Sequence, residues 1–171
     1  MDLRKLQTGK NPEKGEVNSF IEIPLNSDIK YELDKEQGVI VADRFMFTAL
    51  RFPFNYGFIP NTLGQDGDPL DILLIGDKAV FPGTVVASKV IGLLEMEDEA
   101  GIDHKIIAVP TAKCDPVYGV YEDITDVPEG IKNKIRHFFE NYKGLEKGKW
   151  VKLKEWQNKE VALKEIKRSL K

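Results

Sequence analysis

Between residues 17 and 109 the apolar positions fall in short runs separated by Gly, Pro, Asn and Asp. Runs of this kind read as strands joined by turns. The pattern predicts strands at 17–23, 29–34, 38–42, 72–76, 84–94 and 104–109. Residues 85–94 form the longest β-branched stretch, and it opens after the Pro82-Gly83 turn. In Ile29-Lys30-Tyr31-Glu32-Leu33 apolar and charged residues alternate, so Lys30 and Glu32 share a face. In the strand at 17–23, alternation places Val17, Ile21 and Ile23 on one face and Phe20 with Glu22 on the other. The C-terminal third changes period. Asp126 with Glu129 three residues on, and Pro128 in the first turn, predicts a helix start. Ile131, Ile135, Phe138, Phe139 and Tyr142 recur at helical spacing, and Gly144 is expected to end the helix. A second helix is predicted from Asn158, as cap, through Ala162, Leu163, Ile166 and Leu170. Each helix has one apolar stripe, which it must bury against the strands. The expected class is α+β, mainly β.

No linker, repeat or biased segment divides the chain, so residues 1–171 are expected to form a single domain with a proper core. The net charge of −3, with both signs spread along the sequence, argues against a nucleic-acid binder, which needs a basic face. No apolar run approaches the length of a membrane span, and residues 1–16 are too polar for a signal peptide. Cys114 is the single cysteine, which excludes a disulfide framework and suits a reducing, cytoplasmic setting. It has no neighbouring His to activate it and reads as an idle thiol.

The densest chemistry lies in Asp66-Gly67-Asp68-Pro69-Leu70-Asp71, which puts three carboxylates within six residues and leads into the apolar segment Ile72-Leu73-Leu74-Ile75. Three anions this close repel one another unless a cation sits among them. Oxygen donors without His or Cys suit hard ions, Mg²⁺ or Ca²⁺ before Mn²⁺. Asp, Gly and Pro also make ordinary solvated turns, so these six residues alone leave both readings open. An EF-hand is excluded, because counting from Asp66 puts Leu70 at position five, Asp71 at six and Asp77 at twelve.

Asp66–Asp71 closely resembles the signature of the family I soluble inorganic pyrophosphatases, and further blocks follow the family's order. These are Phe20–Pro24, Ile29–Leu33, Asp43-Arg44-Phe45, Asn55-Tyr56-Gly57-Phe58, Met96–Lys105, His137–Lys143 and Glu146–Val151. The resemblance implies an OB-like five-stranded β-barrel carrying the two C-terminal helices. It implies Mg²⁺-dependent hydrolysis of pyrophosphate to two phosphates (an inorganic diphosphatase, EC 3.6.1.1), by in-line attack of a metal-bridging water with Asp68 as general base. Asp66, Asp71 and Asp103 are the implied metal ligands, with Asp98 recruiting further Mg²⁺ and Glu32 helping through water. Lys30 and Tyr56 are implied to hold the phosphate under attack, and Arg44, Tyr142 and Lys143 the leaving one, with Glu22 and Lys105 behind them. Mn²⁺ is expected to substitute and Ca²⁺ to inhibit. Like bacterial-type relatives of this length, the chain is expected to form a homohexamer.

The charges themselves support metal dependence. Glu22, Glu32, Asp66, Asp68, Asp71, Asp98 and Asp103 face Lys30, Arg44, Lys105 and Lys143, seven acids against four bases. Such a pocket repels a polyanion unless divalent ions neutralise it first. His104 and His137 read as incidental, His104 because alternation points it away from Asp103 and Lys105. Phe52 stands where many relatives carry Tyr, and Phe54 replaces a smaller residue. Two other classes fit parts of the pattern: a divalent-cation binding module, which needs no Lys30, Arg44, Tyr56 or Lys143, and an OB-like oligonucleotide binder, which the acid excess disfavours.

Overall fold

The computed structural model describes residues 6–171. Its strands are β1 (Glu16–Ile23), β2 (Ile29–Asp34), β3 (Val39–Phe45), β4 (Asn55–Phe58), β5 (Asp71–Leu74), β6 (Val85–Asp98), β7 (Gly101–Ile102), β8 (Lys105–Pro110) and β9 (Val151–Asn158). Helices α1 (Glu129–Asn141) and α2 (Lys159–Ser169) flank β9 in sequence. Strands pair in the order β1-β4-β5-β8-β6, and β6 pairs back onto β1, which closes a ring of five strands. This ring carries the five-stranded arrangement the sequence implied. β5 and β8 run parallel and the other ring pairs antiparallel. β7 and β9 extend β6 beyond the ring, and β2 with β3 forms a separate two-stranded sheet.

Alternation along the ring strands sorts the core into two clusters. Leu73, Ile107, Ile91 and Leu94 pack with Phe138 and Phe139 of α1. Ile72, Leu74, Ile106 and Leu93 pack with Ala162 and Ile166 of α2. Every residue of β8 is buried, as expected of a strand covered on both faces. Among the described residues no helix is long and apolar enough to cross a membrane.

Several expectations need correction. β1 does not alternate cleanly to its end: Ile21 joins the α2 cluster, whereas Ile23 joins the α1 cluster. A register shift between Ile21 and Ile23 in the β1–β4 pairing resets the alternation and re-aims the intervening Glu22. Asp126 does not cap α1. It closes a capping box with Asp123 around a short 3₁₀ turn at Ile124–Asp126, and α1 starts after Pro128 without a side-chain cap. The second helix starts as predicted, with the Asn158 side chain accepting from the Val161 N–H at 3.1 Å. β4 and β9 were not predicted, and β6 runs on to Asp98.

β4 matters most for the site. Asn55 is buried and pins two loops: its Oδ1 accepts from Leu25 N–H at 3.0 Å and Val80 N–H at 2.9 Å, and its Nδ2 donates to the Lys78 carbonyl at 2.8 Å. Gly57 lets β1 and β4 close up, because a Cβ there would lie 1.8 Å from the Phe20 carbonyl oxygen. Phe58 then packs on Phe20 with ring centres 4.9 Å apart. Tyr56 is thereby set firmly between two anchored neighbours.

Candidate active site

A cleft of ≈ 260 Å³ lies between the ring and the β2–β3 sheet. Glu22, Lys30, Glu32, Tyr56, Asp66, Asp68, Asp71 and Asp103 all line it, brought from β1, β2, β4, the Asp66–Asp71 turn and the β7–β8 connection. The predicted Lys30–Glu32 face points into this space, and Lys30 pairs with Glu32 and, at 3.3 Å, with Asp43.

The floor is one charged cluster around Lys105. This lysine is 2% exposed, and its ammonium donates to Asp71 Oδ2 and to Asp103 Oδ1, each at 2.5 Å. Tyr56 Oη donates to the same Asp71 oxygen at 2.5 Å. Burial alone pulls the Lys105 ammonium down, but Asp71, with Tyr56 and Asp103, holds it well above its ordinary value. Burial raises the Asp103 carboxyl against the pull of Lys105, and the Asp71 charge adds to the rise. Burial likewise pushes the Tyr56 phenol well up, so it stays a neutral donor.

Beyond the floor, the other predicted residues form a second group. Lys143 donates to Asp98 Oδ2 at 2.6 Å, and the Ala100 N–H donates to Asp98 Oδ1 at 2.8 Å. Burial works against the Asp98 carboxylate, but Lys143 and that amide outweigh it and hold the group below its ordinary value. Tyr142, directly after α1, is buried, and its phenol is raised chiefly by burial, with Lys105 opposing and Asp103, Asp71 and Asp98 adding. Arg44 sits opposite Lys30 across the β2–β3 pair, with Nη1 3.3 Å from Glu146 and 3.8 Å from Asp43. Its buried Nε has no hydrogen-bond partner among the described residues.

Glu22 occupies an unusual setting. Its Oε1 accepts from the Leu33 N–H at 2.8 Å, and burial raises its carboxyl to about 7, that bond opposing and the Asp71 and Glu32 charges adding. His104 departs from expectation. It lines a narrow cavity behind the turn together with Asp66, Asp71 and Asp103, and its buried Nδ1 has no partner among the described residues. His137 is exposed, in keeping with an incidental role.

Sequence reasoning missed three residues that hold others in place. Asp43 stands between Lys30 and Arg44, Glu146 backs Arg44, and Lys35 reaches Asp68 at 2.8 Å. Asp43 and Glu146 lay inside recognisable blocks, so proximity in sequence was their only signal. Lys35 gave none, because its partner is 33 positions away.

The donor set suits a hard divalent cation. Its donors are carboxylate oxygens, and Asp71 and Asp103 already converge on one ammonium, so they can share a positive centre. No three acidic, His or Cys side chains among the described residues are yet close enough to enclose an ion by themselves. Lys105 accounts for the charge balance at that point.

Comparison with known proteins gives a consistent result. Residues 19–171 match the family model described as inorganic pyrophosphatase. The inorganic pyrophosphatase of Aquifex pyrophilus is 52% identical over 170 residues, covering 99% of this chain and 96% of that protein. That of Saccharolobus solfataricus is 50% identical over 166 residues, covering 97% and 96%. Among solved structures, the Helicobacter pylori inorganic pyrophosphatase superposes with a TM-score of 0.93 at 46% identity, covering 97% of this chain and 96% of that one. The Thermus thermophilus enzyme gives 0.91 at 44% identity, covering 99% and 97%.

Proposed function

The chain belongs to the inorganic pyrophosphatase family, and from that premise we propose that the cleft hydrolyses pyrophosphate to two phosphates with Mg²⁺ as cofactor and Asp68 as general base. The observation that carries the reading is the convergence of carboxylates, Lys30 and Tyr56 from distant parts of the chain on one cleft. A plain cation-binding module or an oligonucleotide-binding barrel gives way to the family assignment.

Asp66, Asp71 and Asp103 would hold Mg²⁺, with Asp98 recruiting further ions and Glu32 helping through water. Mg²⁺, when held there, would neutralise the acid excess and lower the pKa of its water toward neutrality, so that the water is readily deprotonated. Asp68, exposed at the cleft mouth, takes the proton of the attacking water. Lys30 and Tyr56 hold the phosphate under attack, while Arg44, Tyr142 and Lys143 receive the leaving one. Both phenols serve as neutral donors, so they add no negative charge against a polyanion. Lys105 holds Asp71 and Asp103 in place from below, and Glu22 fixes β1 to β2 through the Leu33 amide.

Mn²⁺ substitutes in this reading. Ca²⁺ would inhibit, because its longer bonds and looser geometry would place the attacking water less well. The same proposal includes a cytoplasmic homohexamer without nucleic-acid or membrane partners. Exposed Phe45, Phe47 and Phe81 offer apolar surface for assembly.

The division of roles is tested by Asp68→Asn and Asp71→Asn, assayed for phosphate release and for Mn²⁺ affinity. Asp68→Asn should cut turnover by roughly 10²–10⁴-fold and weaken metal binding less than Asp71→Asn does. Equal loss of metal binding in the two variants would contradict the assignment.

A further inference from the structure

The turn between β2 and β3 carries a cation with no part in the chemistry described above. Asp34 builds this turn: its Oδ1 accepts from the Glu36 and Gln37 N–H groups at 2.9 and 2.8 Å, and Gly38 turns the chain at φ 69°. Lys35 therefore leaves a well-formed turn and lines the cleft, with Nζ 2.8 Å from Asp68 Oδ1. The pair joins two separate parts of the fold, the two-stranded sheet and the turn that opens β5.

Stability does not explain this pair. The Lys35 and Asp68 side chains are 54% and 70% exposed. Exposed pairs contribute little to stability, so this one is easily exchanged. Two features give the exchange a direction. Lys35 donating to Asp68 Oδ1 competes with water for one of the two oxygens of the carboxylate assigned above as the base. Lys30, the other lysine lining the cleft, is already held by Glu32 and Asp43, so Lys35 is the more readily recruited by an incoming anion.

We propose that Lys35 is a substrate-positioning residue that changes partners: its ammonium rests on Asp68 in the free protein and moves to a phosphoryl oxygen of pyrophosphate when the substrate enters. The move frees the carboxylate at the moment it is needed. The proposal rests on the reading of the cleft and of Asp68 given above. Substrate occupancy and release of the base are then one event.

The test compares wild type, Lys35→Met and Lys35→Arg in saturating Mg²⁺. Lys35→Met should raise KM for pyrophosphate by about three- to tenfold and leave kcat within about twofold, since Asp68 is then permanently free. Lys35→Arg should restore most of the loss. Imidodiphosphate, whose bridging nitrogen resists hydrolysis, should lose affinity for Lys35→Met by the same factor, and raised salt should shrink the difference. Unchanged KM and unchanged imidodiphosphate affinity in Lys35→Met would overturn the proposal. So would a fall in kcat at constant KM, which would make Lys35 an anchor for Asp68. Failure of the underlying reading looks different: wild type would release no phosphate and bind no imidodiphosphate, and both would fall together.

Discussion

Two ion-pair regions of one cleft differ in nearly every physical respect. At the floor, Lys105 is 2% exposed and is shared by Asp71 and Asp103. At the mouth, Lys35 and Asp68 are both more than half exposed and meet one to one. Buried charges are held because leaving one unpaired is costly, whereas exposed pairs exchange with water at little cost. The floor is therefore built to keep its geometry and the mouth to give it up. A site that must concentrate anionic ligands and still admit a polyanion needs both kinds.

Removing the floor's cation should have the largest effect. Lys105→Met leaves Asp71 and Asp103, 30% and 17% exposed, without their shared cation, and should lower stability toward the lower end of about 3–5 kcal/mol in metal-free buffer. Urea unfolding measures this, and added Mg²⁺ should recover more stability in the variant than in wild type. An unchanged unfolding midpoint would show that the floor is held by packing rather than by charge.

Glu22 sharpens the comparison from the side of burial. Its folded value of about 7 exceeds the ordinary 4.5, so the neutral form is the one that favours the folded state. That stabilisation is complete below pH 4.5 and is lost as pH rises through about 7. The loss amounts to roughly 3 kcal/mol. Glu22→Gln keeps an acceptor for the Leu33 amide and cannot ionise. In metal-free unfolding it should gain on wild type steadily across that window. A pH-independent difference would mean that Glu22 is solvated enough to ionise freely.

The mouth supplies the smallest effect. Lys35→Met should shift unfolding stability by less than about 1 kcal/mol, although it should alter substrate affinity. A loss comparable to that of Lys105→Met would erase the distinction between the two regions.

The sequence displayed these regions unequally. The carboxylates of the Asp66–Asp71 turn were legible because turn residues and charge are concentrated in one stretch. The Lys30–Glu32 face was legible because strand alternation holds there, and the Asn158 cap because its side chain bonds locally. β4 escaped because all four of its residues are buried, so it shows no alternation. β9 escaped because it lies between two helical patterns, though Val151 and Leu153 alternate with Lys152 and Lys154. The bulge at Glu22 could not be read from β1 alone, because its cause is the register with β4. Lys35 and Asp68 meet only because the small sheet folds over the ring, and nothing local records that contact.

With acids in excess, the cleft should work only when a divalent cation is bound. Phosphate release from pyrophosphate, followed while Mg²⁺ is titrated into thoroughly demetallated protein, tests it most directly. No release above the uncatalysed background is expected without metal, then recovery as Mg²⁺ is added, and collapse again when chelator is in excess. Undiminished release by the demetallated protein would contradict it.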